Sequence, residues 1–181
     1  MIWTDSALIQ LFLPIIKAQL IIDGFTTVNV VQEYQPTMQG VDTEPTLFFF
    51  KVGFKRYGFL GRLDEWDAGD MEMVHTERQY FESAWQISAL VRQNPATPNQ
   101  YSASDLADEA ASIMQSDKTR NILNASNIGI LRITDIVNPF FVNDHDNYQA
   151  IPSFDFVLTG LNTRESTNPI ISEFNSNIIG V

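Results

Sequence analysis

An α+β fold, a mainly antiparallel β-sheet with helices packed on one face, is predicted by three observations. From Met71 to Arg92 the residues alternate: Phe81, Trp85, Ile87, Ala89 and Val91 fall on one face, and Arg78, Tyr80, Glu82, Gln86, Ser88 and Arg92 on the other. That period of two marks a half-buried antiparallel strand. Two other stretches carry helical spacing behind capping residues. The remaining apolar runs are short and bounded by Gly, Pro, Asn and Asp, and the helices and strands do not alternate as parallel βαβ units would.

Taken in order, the first helix follows Thr4 or Asp5, either of which can accept from its free N–H groups. Leu8, Leu11, Phe12, Ile15, Ile16, Gln19 and Leu20 form its stripe. Pro14 inside it removes one backbone donor and predicts a kink. Asp23-Gly24 ends it by offering a left-handed position. Thr26 to Tyr34 reads as a strand, followed by the loop Gln35 to Gly40. Thr46 to Phe54 is strongly β, with Leu47, Phe48, Phe49, Phe50, Val52 and Phe54 apolar on both faces. Such a strand is central or covered by a partner. Lys55 to Asp70, with Gly58, Gly61 and Gly69 among Tyr57, Phe59 and Trp66, reads as a hairpin tip or a long loop, and its aromatics suggest docking.

After the alternating strand, Asn94 to Asn99 is a Pro-containing link. Ser102 or Ser104 then caps a helix with the stripe Leu106, Ala110, Ile113 and Met114. Asp105, Asp108 and Glu109 lie near its N-terminus, where the dipole favours negative charge. A short helix through Ile122 and Leu123 is expected next. Ile128 to Val137 reads as a strand, Phe140 to Asn147 as a loop and Ser153 to Leu161 as a closing strand. The tail from Asn162 to Val181 is rich in Asn, Ser and Thr, with the apolar residues Ile170, Ile171, Phe174, Ile178 and Ile179. It reads as an extended arm. The expected organisation is one domain over 1–161 and an arm over 162–181.

At 181 residues the chain is long enough to bury a core without staples. Its charged fraction of 18% is below the usual quarter, and Asn, Gln, Ser and Thr take up the difference, a surface suited to packing against copies of itself. Net charge is −11 and no Lys/Arg run exists, which argues against a surface that grips nucleic acid. An acidic wall that lets DNA pass is compatible with it. The absence of cysteine removes disulfides, thiolate metal sites and Cys catalysis. Met1 to Asp5 lacks the positive start of a signal peptide, and the interrupted apolar stretch Leu8 to Ile22 reads as a buried helix, so no membrane is expected.

Candidate chemistry is sparse. Asp144-His145-Asp146 is the sharpest polar cluster, but adjacent strand residues point to opposite sides and no second His is near. A solvated turn fits better. Asp64, Glu65, Asp67 and Asp70 do not follow a Ca²⁺ loop pattern. Phe48 to Phe50 and Trp85 read as core. No phosphate loop or nucleophile elbow occurs. No catalytic, cofactor-binding or metal residue is assigned; a non-enzyme without cofactors is expected.

The run Glu77-Arg78-Gln79-Tyr80-Phe81-Glu82-Ser83-Ala84-Trp85-Gln86-Ile87-Ser88-Ala89 resembles the central strand of the tail terminator (neck terminator) proteins of tailed phages. Ser102-Ala103-Ser104-Asp105-Leu106-Ala107 resembles the start of their helix. Ile128-Gly129-Ile130 resembles the strand after it, and Phe154-Asp155-Phe156-Val157-Leu158-Thr159 the closing strand. The resemblance covers about residues 1–161. It implies a structural virion protein, made in the bacterial host cytoplasm and located in the neck or tail. It also implies a homohexameric ring that caps the tail tube, ends its polymerisation and joins the tail to the head. The implied partners are other copies of the chain, the tail tube protein and a head completion or stopper protein. DNA would pass through the lumen without sequence-specific binding.

A ring needs head-to-tail contacts. Tyr57, Phe59, Trp66, Ile170, Ile171, Phe174, Ile178 and Ile179 are the expected interface residues. The competing readings are another virion part (a stopper, tube or baseplate subunit), a small acidic hydrolase and a ligand-binding module. The first differs in partner and symmetry. The second predicts turnover in a concave pocket, and the third a deep apolar pocket.

Overall fold

The structure, a computed structural model, describes residues 2–32, 44–70, 72–92, 99–142 and 148–169. In chain order the elements are α1 (Asp5–Ile22), β1 (Asn29–Val31), β2 (Thr46–Asp67), β3 (Glu72–Leu90), α2 (Ala103–Gln115), α3 (Asp117–Ala125), β4 (Ile128–Ile133), β5 (Phe140–Val142), β6 (Tyr148–Ala150) and β7 (Ser153–Pro169). The main sheet has five strands in the order β1-β2-β3-β7-β4, and β5 and β6 form a separate two-stranded pair. In the main sheet the described pair β1–β2 is parallel, and the pairs β2–β3, β3–β7 and β7–β4 are antiparallel. The fold is α+β.

Both ends of α1 follow from its sequence. The Thr4 hydroxyl accepts from the Ala7 N–H at 3.2 Å, so Thr4 is the cap and Asp5 is the first helical residue. At the other end Gly24 takes a φ of 97°, Gly24 N–H donates to Ile21 O and Phe25 N–H donates to Leu20 O. That pair of bonds is the Schellman arrangement, which satisfies carbonyls the helix leaves open. The helix runs on through Pro14. By length and composition alone α1 could cross a membrane. Its Leu8, Ile9, Phe12, Ile16 and Leu20, however, are buried against the sheet.

The alternation of β3 fixes which sheet face the helices cover. Phe81, Trp85, Ile87 and Ala89 are fully buried, facing the same core as Leu47 and Phe49 of β2 and Phe154, Phe156 and Leu158 of β7. Phe12 of α1 inserts among them, with ring centroids 5.6 Å from Phe49 and 5.4 Å from both Trp85 and Phe156. Leu106, Ala107, Ala110, Ile113 and Met114 of α2 and Leu123 of α3 complete the core. Gly160 makes the close approach of β4 possible, since a Cβ there would lie 2.6 Å from Ile128 and 2.8 Å from the Phe81 ring. Among the described residues the opposite face carries a small cluster of Phe48, Leu90 and Ile151, with Val31 against it.

Four expectations are corrected. The strand expected over Thr26 to Tyr34 is described only over Asn29–Val31. Of the two readings of Lys55 to Asp70, the hairpin holds and the loop does not: β2 continues to Asp67, paired with β3 to the rung Asp67–Glu72. The loop expected from Phe140 begins with a strand, since β5 pairs with β6. The strand expected to reach Val137 ends at Ile133, and Val137 joins the sheet by an isolated bridge to Ser153.

Candidate assembly surface on a three-stranded arm

Beyond the rung Phe81–Gly160 the sheet leaves the helices behind. β2 from Tyr57, β3 up to Tyr80 and β7 from Leu161 continue as a three-stranded antiparallel arm. At about 3.3 Å per residue it reaches roughly 30 Å past the body. Among the described residues of this arm no hydrophobic side chain is buried. Cross-strand contacts therefore hold it.

Those contacts are specific. Tyr57 stacks on Tyr80 with centroids 5.7 Å apart, and its hydroxyl lies 2.8 Å from the Thr159 hydroxyl. Asp64 Oδ1 accepts from His75 Nδ1 at 2.6 Å, while Asn168 Nδ2 donates to His75 Nε2 at 2.9 Å. That is the pattern of a ring with its proton on Nδ1, and it ties β2, β3 and β7 across one face. The exposed pair Arg62–Glu77, at 3.8 Å, adds little. At the base, Lys51 bonds Asp5 of α1 and lies over the Phe54 ring, which stacks on Phe81. Trp3 N–H donates to Asn162 Oδ1 at 2.7 Å, fastening the chain start to β7.

Two bulges break the register of β2. Val52 is extra between the rungs of Lys51 and Gly53. Gly58, Phe59 and Leu60 occupy the space opposite the single residue Gln79. Gly58 has a φ of 75°, a left-handed conformation that favours glycine. Gln79 Nε2 donates to Tyr57 O at 2.6 Å, which pins the bulge from behind. At its apex Phe59 is 98% exposed. Burying a Phe stabilises by about 1.5–3 kcal/mol, so the isolated chain forgoes that gain at a position its backbone holds in place.

Of the three expected interface residues that are described, Phe59 is the most exposed, Trp66 is half-exposed near the tip, and Tyr57 is spent on Tyr80 and Thr159. All three belong to the arm. Ile170, Ile171, Phe174, Ile178 and Ile179 lie outside the described residues, as does the cluster Asp144-His145-Asp146. The acids Asp64 and Asp67 are engaged locally, with His75 and with the Gly69 N–H. Among the described residues no group of His and carboxylates is placed to hold a metal ion. Sequence reasoning missed Val52, Leu60, Leu63 and Leu131 as exposed edge residues. The glycines flanking Phe59-Leu60 were the available signal, since paired glycines inside a β-rich run mark bulges.

A family model described as E217 gateway protein gp29 matches residues 7–170, most of the chain. The chain belongs to this gateway protein family. It is a phage head–tail gateway family, so the broader part of the sequence resemblance, a structural protein of a phage virion, holds. No curated protein matches the chain. The matched span takes in the body and the arm alike.

Proposed function

We propose that this gateway-family chain is a structural, non-catalytic protein of the head–tail junction that assembles with its own copies into a hexameric ring. The ring caps the tail tube, ends its polymerisation and joins the tail to a head completion or stopper protein, with DNA passing through the lumen. The family match over 7–170 supports the place at the head–tail junction, and the resemblance of β3, α2, β4 and β7 to tail terminators supports the ring and cap. Support comes from the arm, which spends sequence on a long projection with little core of its own and displays Phe59 and Trp66. The net charge of −11 suits a lumen that repels phosphates.

The test is to mix the purified chain with isolated tail tubes and image them by negative stain. A ring at one tube end is expected, and its symmetry can be read directly. Tubes left bare at both ends would overturn the terminator role. Because the family is that of a gateway protein, a second reading follows: a junction component on the head side, such as a stopper. Rings that bind the head connector but not the tube would favour it. Removal of residues 165–181 is expected to weaken the ring, and unchanged assembly would exclude that segment from the contact.

A further inference from the structure

The two nitrogens of His75 are held by side chains of unlike character. Nδ1 lies 2.6 Å from Asp64 Oδ1 on β2, and Nε2 accepts from Asn168 Nδ2 on β7 at 2.9 Å. Asp64 is the strand partner of His75 on β2, and Asn168 follows two residues after Ser166, its strand partner on β7. The carboxylate bonds Nδ1–H whether the ring carries one proton or two. The amide can follow a second proton, because turned end for end it accepts where it had donated. An ammonium group in its place would serve the neutral ring alone, and a carboxylate the charged ring alone. The χ2 torsion of Asn is broad and two-fold, and Asn168 is exposed, so little packing opposes the turn.

We propose that His75 and Asn168 form a proton-operated switch on the arm, in which a proton taken up at Nε2 turns the Asn168 amide round. The proton comes from water and occupies the Nε2 lone pair. The bond from Asn168 Nδ2 breaks, and Nε2–H donates to Asn168 Oδ1 instead. Nδ1–H keeps its bond to Asp64. The ring stays fastened to β2 and β7 in both states. What changes is the arm surface, where the outer atom of Asn168 passes from a carbonyl acceptor to an N–H donor.

Charge changes with it. On the face shared with His75, alternate residues place Arg62 and Asp64 on β2, Glu77 on β3 and Arg164 on β7. Arg62 lies 3.8 Å from Glu77, and Arg164 is the strand partner of Glu77 on the other side. These acids and bases cancel while the ring is neutral, so a proton on His75 leaves this part of the face positive. Trp66 and Asn168 are the two strand partners of Met73, which puts the turning amide on the same rung row as an exposed aromatic. The protonated face favours a carboxylate neighbour, and the neutral face an N–H or O–H donor. The switch belongs to the isolated chain and does not depend on the ring reading.

The chain has two histidines, so a His145→Gln background leaves His75 as its one imidazole. The test is an NMR titration of that variant, labelled with nitrogen-15, from about pH 8 to about pH 5, the range in which imidazole side chains exchange their charge. At the alkaline end Nδ1 is expected to carry the proton and Nε2 none. The side-chain amide signals of Asn168 are expected to shift with the same midpoint as the ring, and to lose that shift when His75→Gln is added. A proton on Nε2 at the alkaline end would overturn the proposal, and so would Asn168 signals that stay in place while the ring titrates. A shift that persists unchanged in His75→Gln would assign the movement to a carboxylate and overturn it as well.

Discussion

Gly160 shows how one missing side chain sets the packing of three strands. Ile128 of β4 and Phe81 of β3 close over it, and neither contact is the loose end of a flexible surface residue. Gly160→Ala is therefore expected to destabilise the fold by about 1–3 kcal/mol, the usual cost of overpacking a closed core. A denaturant titration measures it, and a midpoint matching the parent chain would show that β4 can shift freely. Glu109 on α2 is a different single-residue case. Burial raises its carboxyl above the ordinary glutamate range, and the Asp23 side chain and the charges of Asp23 and Asp108 raise it further. The folded chain thus holds this proton more tightly than the unfolded chain does. Its ionisation penalises the fold above the raised folded value, and the penalty fades as pH falls toward the ordinary range. Glu109→Gln is expected to raise stability at neutral pH and to flatten the pH dependence of the denaturation midpoint in the window just above ordinary glutamate titration. An unchanged profile would rule the residue out as its source.

At the scale of the element, α2 is secured by reciprocal bonds. Asp105 N–H donates to Ser102 Oγ at 3.1 Å, and Ser102 N–H donates to Asp105 Oδ2 at 2.7 Å. The bond from the Ser102 backbone, and then that from its hydroxyl, lowers the Asp105 carboxyl below its usual range. Its contribution is present above the ordinary aspartate value and lost as pH falls through the lowered one. Ser102→Ala is expected to cost about 1 kcal/mol, checked by thermal or chemical unfolding. The cap was legible to within Ser102 or Ser104, and the Asp23-Gly24 stop and the alternation of β3 were legible outright, because each signal is local. The outer half of β2 was not legible. A period-two pattern needs one buried face, and beyond Tyr57 both faces meet water. The bulges at Val52 and at Gly58 to Leu60 then shift what alternation remains. The candidate surface was half legible for the same reason: Phe59 and Trp66 stand out as aromatics in a polar segment, but their edge becomes visible only with the register.

Across the whole molecule, the distribution of buried apolar residues divides the sheet lengthwise into a packed body and an exposed arm. Local opening free energies follow such packing. Amide hydrogen exchange should therefore be slowest around Trp85, Ile87 and Phe156 and fastest near Asp67 and Glu72. Assembly should protect Tyr57 to Leu63 selectively. Uniform exchange along β3 would contradict the division, and an unprotected β2 edge in assembled rings would contradict its place in the contact.

β3 runs the full length of both parts, paired with β7 on every rung from Ser88–Ser153 to Glu72–Pro169. Antiparallel hydrogen bonds lie perpendicular to the strands. A pull between the arm tip and the body is therefore carried as shear, shared by many rungs at once, whereas a sideways force peels them one by one. The arm is stiff along its axis and weak across it, and the direction in which its neighbours tug decides whether it behaves as a strut or as a zipper.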